Sequence, residues 1–398
     1  MTSSRRYGWV IVVLGAVAMV GTFPGRTHGI ALITESLIAD LHVDRLDFAW
    51  INTVASLIGA SFCLPFGWIT DRFGLRFTLT FLMAATGATA WVLVRQSGGF
   101  VPLLILVTLQ RGFGQSALSA ASVTAVGKWH PVRAQMQMGL FAFLVGILFA
   151  AAFGVVGKVL ETKGWRPAWT GVSAAVALVG APLMLLFMRE APPAGVVAPG
   201  ALPPAETGLA QALRTPAFWI FAGSSAIFML ASSGLGLFQE AIFAERGFSA
   251  KVYHDILSIT FLLGLTAQLA SGWFSQRWSL GILNAFSMFF YAGALLMIPF
   301  VTSLTTLWIA SSLMGLSGGI ITVVYFAFWS QAFGQGSLGR IQSAAQLITV
   351  VASALGPLIF ESLHRHYGSY GPAMLGLAPV VLLFGVASWK VKFPGVAT

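Results

Sequence analysis

Charge is what this chain has least of: Asp, Glu, Lys and Arg make up 9% of its 398 residues, against about 25% in ordinary soluble domains. With 57% of residues apolar, too little polar surface exists to face water, and a soluble enzyme is excluded. Cysteine is nearly absent. The single Cys63 lies in an apolar segment, so no intrachain disulfide can form and the residue reads as a small core side chain. His364 and His366 have no third ligand following them, and no metal is expected. The GxxxxGK[ST] pattern does not occur, which leaves ATP-driven pumping by a P-loop unsupported; no cofactor and no catalytic residue are expected. The 22 Lys and Arg against 12 acids give a net charge of +10, but they are scattered through short loops, so nucleic acid is not an expected partner. Arg5 and Arg6 precede an apolar run as in a signal peptide, yet no small-residue cleavage site follows and further apolar runs do, so that run reads as a retained first helix.

Long apolar runs are what the chain has in abundance. A membrane helix needs roughly 20 mostly apolar residues, and such stretches fall near 8–37, 48–70, 77–95, 101–127, 136–158 and 167–188, then near 216–243, 252–274, 280–300, 304–332, 340–362 and 369–390. In lipid every backbone polar group must be satisfied internally, and these runs are too long and too uniformly apolar for barrel strands. The expected fold is an all-α membrane protein with twelve transmembrane helices arranged as two six-helix pseudo-symmetric halves. Residues 1–188 form the first half and 216–398 the second. Residues 189–215 form a cytoplasmic linker rich in Pro and Ala, with Pro192, Pro193, Pro199, Pro203 and Pro204 and no helical period until about Glu206. Twelve Lys and Arg lie on the termini and even-numbered loops against eight opposite, an excess that predicts cytoplasmic termini in the inner membrane.

The two halves echo one another. Gly67-Trp68-Ile69-Thr70-Asp71-Arg72-Phe73 after the second span returns 205 residues later as Gly272-Trp273-Phe274-Ser275-Gln276-Arg277-Trp278 after the eighth, as parallel six-helix repeats should show. The stretch from Gly67 to Arg76 resembles the loop signature of the major facilitator superfamily. Arg111-Gly112-Phe113-Gly114 in the fourth span resembles the arginine and glycines found there in that superfamily. On physical grounds Gly67 permits close helix packing, Asp71 can sit against a helix N-terminus in the other half, and Arg72 and Arg76 can pair across the cytoplasmic seam. With Gly74 these residues form the expected gate. Gln276 stands where the acid stood, so the second gate is expected to be weaker. Within the superfamily, Gly8-Trp9-Val10, Phe23-Pro24 followed by a basic residue and Gly29, Gly164-Trp165-Arg166, and Thr215-Pro216 with Phe218-Trp219 resemble the monocarboxylate transporter family and its bacterial relatives, including the oxalate and formate exchangers.

Charges inside lipid need a reason. Arg26, deep in the first span, costs about 3 kcal/mol unless paired or wetted. It reads as the anchor for a substrate carboxylate, held in a two-pronged geometry, and in the monocarboxylate family a lysine sits three residues before the corresponding glycine, as Arg26 does before Gly29. A structural pair with Glu35 or the outer loop, or snorkelling outward, is the alternative. Arg111 reads as a coupling or structural cation. The monocarboxylate family carries an aspartate and an arginine in span eight where this chain has Gly264 and Gln268, so the usual proton pair is missing. Neutral groups take their place, and Asn52, Gln268, Tyr325, Trp329 and Gln346 complete the expected substrate contacts. His28, Glu35 and Glu240 are candidates for coupling or structural roles. The expected activity is secondary active transport of a small organic anion, as symporter or antiporter, with a small-molecule substrate and a proton or other ion as partners in a monomer. Export of amphipathic or drug-like compounds is the alternative within transport, and a non-transporting membrane receptor or scaffold is the alternative outside it.

Overall fold

The computed structural model describes residues 2–129, 134–191 and 207–391. The linker prolines and Glu206 lie outside the described residues, as do Arg133 and Lys392. Among the described residues eleven helical segments are long and apolar enough to cross a bilayer. They are Tyr7–Leu41, Asp47–Phe73, Leu75–Val94, Gln135–Lys163 and Trp165–Phe187, followed by Pro216–Glu245, Lys251–Phe274, Leu280–Phe300, Leu304–Phe333, Leu338–Tyr367 and Gly371–Lys390. The twelfth is the fourth span in chain order, helical from Phe100 to Trp129, whose middle winds as a π-helix over Arg111–Leu118 between two α-helical pieces. The protein is an all-α, twelve-helix membrane protein.

Two spans depart from regular α-helix where the polar residues sit. The first span stops at Val20, makes a short 3-10 turn over Phe23–Gly25, passes through Arg26 in an extended conformation and resumes as a helix from Thr27 to Leu41. Pro24 accounts for part of this break, because its ring and missing N–H cannot continue the α-helical ladder. Gly25 accounts for the rest: a Cβ there would collide with the carbonyl oxygen of Gln110 and approach the amide nitrogen of Gln115 to 3.1 Å. The break is therefore pressed against the π-helical stretch of the fourth span, and π-turns inside helices mark functional positions more often than chance.

Contacts divide the chain into two compact units. The first comprises Met1–Val132, Leu144–Leu209 and Phe333–Leu347; the second comprises Arg133–Phe143, Ala210–Ala332 and Ile348–Thr398. In the first, the third span packs on the sixth, and the fourth on the first and second. Ile11, Leu79, Leu82, Met83 and Met184 fill one core and Ile33, Ile51, Leu93 and Trp169 another. In the second unit the twelfth span packs on the seventh and ninth, around Ile256, Met288, Leu295, Phe360 and Val381. Lipid tails are as apolar as these side chains, so close packing and buried hydrogen bonds, more than apolar burial, hold the helices together. The Asn284 amide in the second unit shows the second kind: it donates to Ser224 Oγ at 2.9 Å and Ser388 Oγ at 2.8 Å.

Candidate functional site

The break in the first span leaves backbone carbonyls without helical partners, and the two intramembrane arginines gather around it. Arg111 Nη1 donates to Gly25 O at 3.3 Å, to Thr27 Oγ1 at 2.8 Å and to Gln115 Oε1 at 2.6 Å, while Nη2 donates to Asn52 Oδ1. Its side chain is 1% exposed. Re-satisfying freed backbone groups by neighbouring side chains is how membrane helices tolerate such breaks. Arg111 thus ties the break to the second and fourth spans, and Asn52, expected as a substrate contact, accepts one of its hydrogen bonds.

Arg26 is arranged differently. Nε donates to Thr22 Oγ1 at 2.7 Å, Nη2 donates to Ser119 Oγ at 3.0 Å and lies 3.1 Å from Met19 Sδ, and the guanidinium sits 5.1 Å from the Phe149 ring centroid. Nη1 makes no hydrogen bond among the described residues, and the side chain is half-buried. Neither arginine forms an ion pair with a described carboxylate. Both cations are held by neutral oxygens, sulfur and a ring face in a medium that penalises charge; each keeps one donor without a hydrogen bond among the described residues, the buried Nε of Arg111 and the Nη1 of the half-buried Arg26. Just past the break, His28 is exposed in the first turn of the resumed helix, and Glu35 is exposed two turns on.

Gln346, half-buried, belongs to the first unit; Gln268, Tyr325 and Trp329 belong to the second. Trp329 is fully enclosed, with Phe218, Phe328 and Tyr325 ring centroids at 5.4, 4.9 and 5.8 Å. In this conformation Tyr325 is the half-buried member of that stack and Trp329 backs it. Gln268 is half-buried and its Oε1 has no hydrogen bond among the described residues. Glu240 is exposed near the end of the seventh span.

The motif loop forms a second polar cluster, again inside the first unit. The Asp71 carboxylate, 6% exposed, accepts from the backbone N–H of Gly339 at 2.9 Å and of Arg340 at 3.0 Å, capping the start of the eleventh span. Lys128 Nζ lies 2.9 Å from Oδ1 and Arg340 Nε 3.5 Å from Oδ2. Gln335 Nε2 donates to Lys128 O at 2.5 Å. Gly67 lets the helices meet here, since a Cβ would stand 2.6 Å from Gly339 O and overlap the Ser343 hydroxyl.

Arg72 and Arg76, expected to pair across a seam, make their described contacts inside the first unit. Arg72 lies over the rings of Trp68 and Phe73, and Arg76 Nε donates to Leu185 O at 2.5 Å. Both directions follow from local chemistry: Trp68 sits one helical turn before Arg72, and the Arg76 backbone N–H is fixed at 3.0 Å by Glu190, which also caps Leu75 at 2.9 Å. The cations on Asp71 are Lys128 and Arg340, which in sequence look like ordinary loop charges. Glu190 carries no signal in the sequence at all beyond its place at the end of the sixth span.

The chain is a twelve-helix, multi-pass membrane protein with a broken first span, two intramembrane arginines that form no ion pair with a described carboxylate, and a capped loop motif. The sequence profile of the Major Facilitator Superfamily matches residues 14–357, and the chain belongs to that superfamily. Among relatives, the tetracenomycin C resistance and export protein of Streptomyces glaucescens is 29% identical over 142 residues, 34% of this chain and 25% of that protein. Probable anion transporter 6, chloroplastic, of Arabidopsis thaliana is 28% identical over 128 residues, 30% of this chain and 24% of that protein. The matched stretch thus spans about a quarter of each relative's length. Among solved structures, the human organic anion transporter MFSD10 (TETRAN) superposes with a TM-score of 0.67 at 16% identity, covering 97% of this chain and 99% of that one. The superfamily transporter FucP, in its outward conformation, gives 0.72 at 12% identity, covering 96% and 98%.

Proposed function

We propose that this transporter moves a small organic anion of the carboxylate type across the cytoplasmic membrane by alternating access. In this reading residues 1–188 and 216–398 are the moving halves, 189–215 links them, and both termini are cytoplasmic. The observation that carries the reading is Arg26: a guanidinium at the break in the first membrane span, without a described carboxylate partner and with Nη1 making no hydrogen bond among the described residues. A charge at that depth is retained when it has a ligand, and a carboxylate fits the planar fork of arginine. The likeness to a probable anion transporter of Arabidopsis thaliana agrees with this, as does the resemblance of the first, sixth and seventh spans to the monocarboxylate transporter branch. His28, two residues past Arg26 in the first turn of the resumed helix, is the group we assign to coupling. The test is uptake of radiolabelled mono- and dicarboxylates into proteoliposomes by the wild type and Arg26→Ala. Acid uptake that the substitution abolishes supports the reading; equal uptake by both rejects Arg26 as anchor.

A second reading, export of amphipathic compounds, has one observation in its favour, the likeness to the tetracenomycin C export protein. The enclosed aromatic stack of Phe218, Phe328 and Trp329 behind Tyr325 would serve a ring-bearing solute. Under it, proteoliposomes accumulate neutral or cationic amphiphiles instead, and Arg26→Ala leaves that accumulation intact.

A further inference from the structure

Two arginines in the repeated loops are left out of every polar cluster. In the first loop Arg76 is used on Leu185 O, and Lys128 and Arg340 are used on Asp71. Arg72, exposed, makes no hydrogen bond or ion pair among the described residues; its guanidinium rests 5.4 Å from the ring centroid of Trp68, one turn back on the same helix. In the second loop Arg277, also exposed, rests 4.8 Å from Trp273, again one turn back and again without an ion pair among the described residues. Both tryptophans are about half exposed, at 45% and 50%, and both lie within two turns of the end of a membrane span.

Each arginine also stands at the head of a ladder of rings, all exposed in the first, while in the second Trp273 and Trp278 are exposed and Phe274 and Phe286 half-buried. From Trp68 the first ladder descends through Phe73, the last residue of the second span, to Phe77 and Phe81 on one face of the third, with centroids 5.9, 6.0 and 6.4 Å apart. From Trp273 the second runs through Phe274, Trp278 and Phe286, at 4.9, 5.0 and 5.8 Å. Tryptophan settles at the headgroup level of a bilayer with its ring in the apolar margin, and arginine at a span end directs its charge toward the phosphates. A cation at headgroup depth with an apolar ring track running into the membrane is complementary to one kind of molecule, a charged headgroup on acyl chains.

We infer that the two repeats carry a matched pair of anionic phospholipid sites, in which Arg72 and Arg277 hold the headgroup phosphate over Trp68 and Trp273 and the ring ladders seat the acyl chains. The partner is a glycerophospholipid with net negative charge. Zwitterionic lipid lacks the uncompensated charge that an unpaired guanidinium selects. Each arginine near an anionic surface is worth about a fivefold preference, the factor equivalent to about 1 kcal/mol.

The test is native mass spectrometry of the full-length protein exchanged from detergent into equal mixtures of phosphatidylglycerol and phosphatidylcholine. Two retained phosphatidylglycerol molecules are expected, falling to one in Arg72→Gln or Arg277→Gln and to none in the double variant. Equal retention of the two lipids, or retention unchanged in both variants, overturns the inference. If a glutamine variant fails to fold, quenching of tryptophan fluorescence by brominated phosphatidylglycerol decides it. The wild type should be quenched several-fold more than by the brominated phosphatidylcholine, and Trp68→Phe with Trp273→Phe should remove that difference. Equal quenching by the two brominated lipids sinks the sites.

Discussion

The two echoed loops, 67–76 and 272–281, solve one packing problem with opposite chemistry. In each, a glycine of the preceding span lets another helix approach at backbone distance. Gly67 meets Gly339 and Ser343, and Gly272 meets Gln135 and Gly139, where a Cβ would be 3.1 Å from the Gly139 Cα. Around the first contact every polar element is charged or capped: Asp71 caps the eleventh span, Lys128 and Arg340 flank it, and Glu190 caps the third. Around the second, Gln276 replaces the acid, is exposed and makes no side-chain hydrogen bond among the described residues. Gln135 donates to Gln331 Oε1 at 3.0 Å, and the ninth span is capped by its own Ser279 through Ile282 N at 3.3 Å. Even the backbone differs. Gly74 has φ of +89° with Glu190 beside it, while Ser279, its counterpart, has φ of −65°. Both loops keep the glycine contact, and among the described residues only the first builds ion pairs around it.

That difference can be broken in steps. The largest effect is expected for Asp71→Ala, which strips the cap and leaves a nearly buried Lys128 uncompensated. A loss of about 3–5 kcal/mol is predicted, whereas Gln276→Ala should stay within about 0.5 kcal/mol, both read by thermal unfolding in detergent. If the two variants unfold alike, the charged cluster holds nothing. Next comes Gly67→Ala, predicted to cost about 1–3 kcal/mol through overpacking. Gly272→Ala, whose neighbours stand farther off, should cost less; the reverse order would contradict the packing account. Smaller again is Glu190→Ala, expected to lower stability by about 1–2 kcal/mol through the lost double cap on Leu75 and Arg76. Ser279→Ala should cost about 0.5–1 kcal/mol for a single neutral cap. Hydrogen exchange at the first turns of the third and ninth spans separates these two local effects from global unfolding.

Most of the fold was legible because lipid imposes long apolar runs with few alternatives, and the Gly67 and Gly272 heptads expose the repeat directly. The fourth span was readable as a span, but its π-helical middle was not, since nothing in Arg111–Leu118 breaks the apolar pattern apart from polar side chains that also suit an α-helix. The candidate site was legible in its cations and less so in its partners. Arg26 stands out because charge at that depth is expensive; that Asn52 serves Arg111, or that Trp329 is sealed behind Tyr325, depends on which faces of separate helices meet. Lys128 and Arg340 lie 57 and 269 residues from Asp71, and only the fold joins them.

The central claim, that Arg26 anchors an anion, is tested most directly by thermal-shift titration of the purified protein with matched acid and amide pairs, benzoate with benzamide and succinate with succinamide, in the wild type and Arg26→Ala. A bound ligand raises stability by mass action. The acids alone should stabilise the wild type, and Arg26→Ala should weaken their binding by about 10- to 100-fold, the equivalent of one charge-assisted contact. Stabilisation by acids and amides alike, or a shift that Arg26→Ala leaves unchanged, would contradict the account.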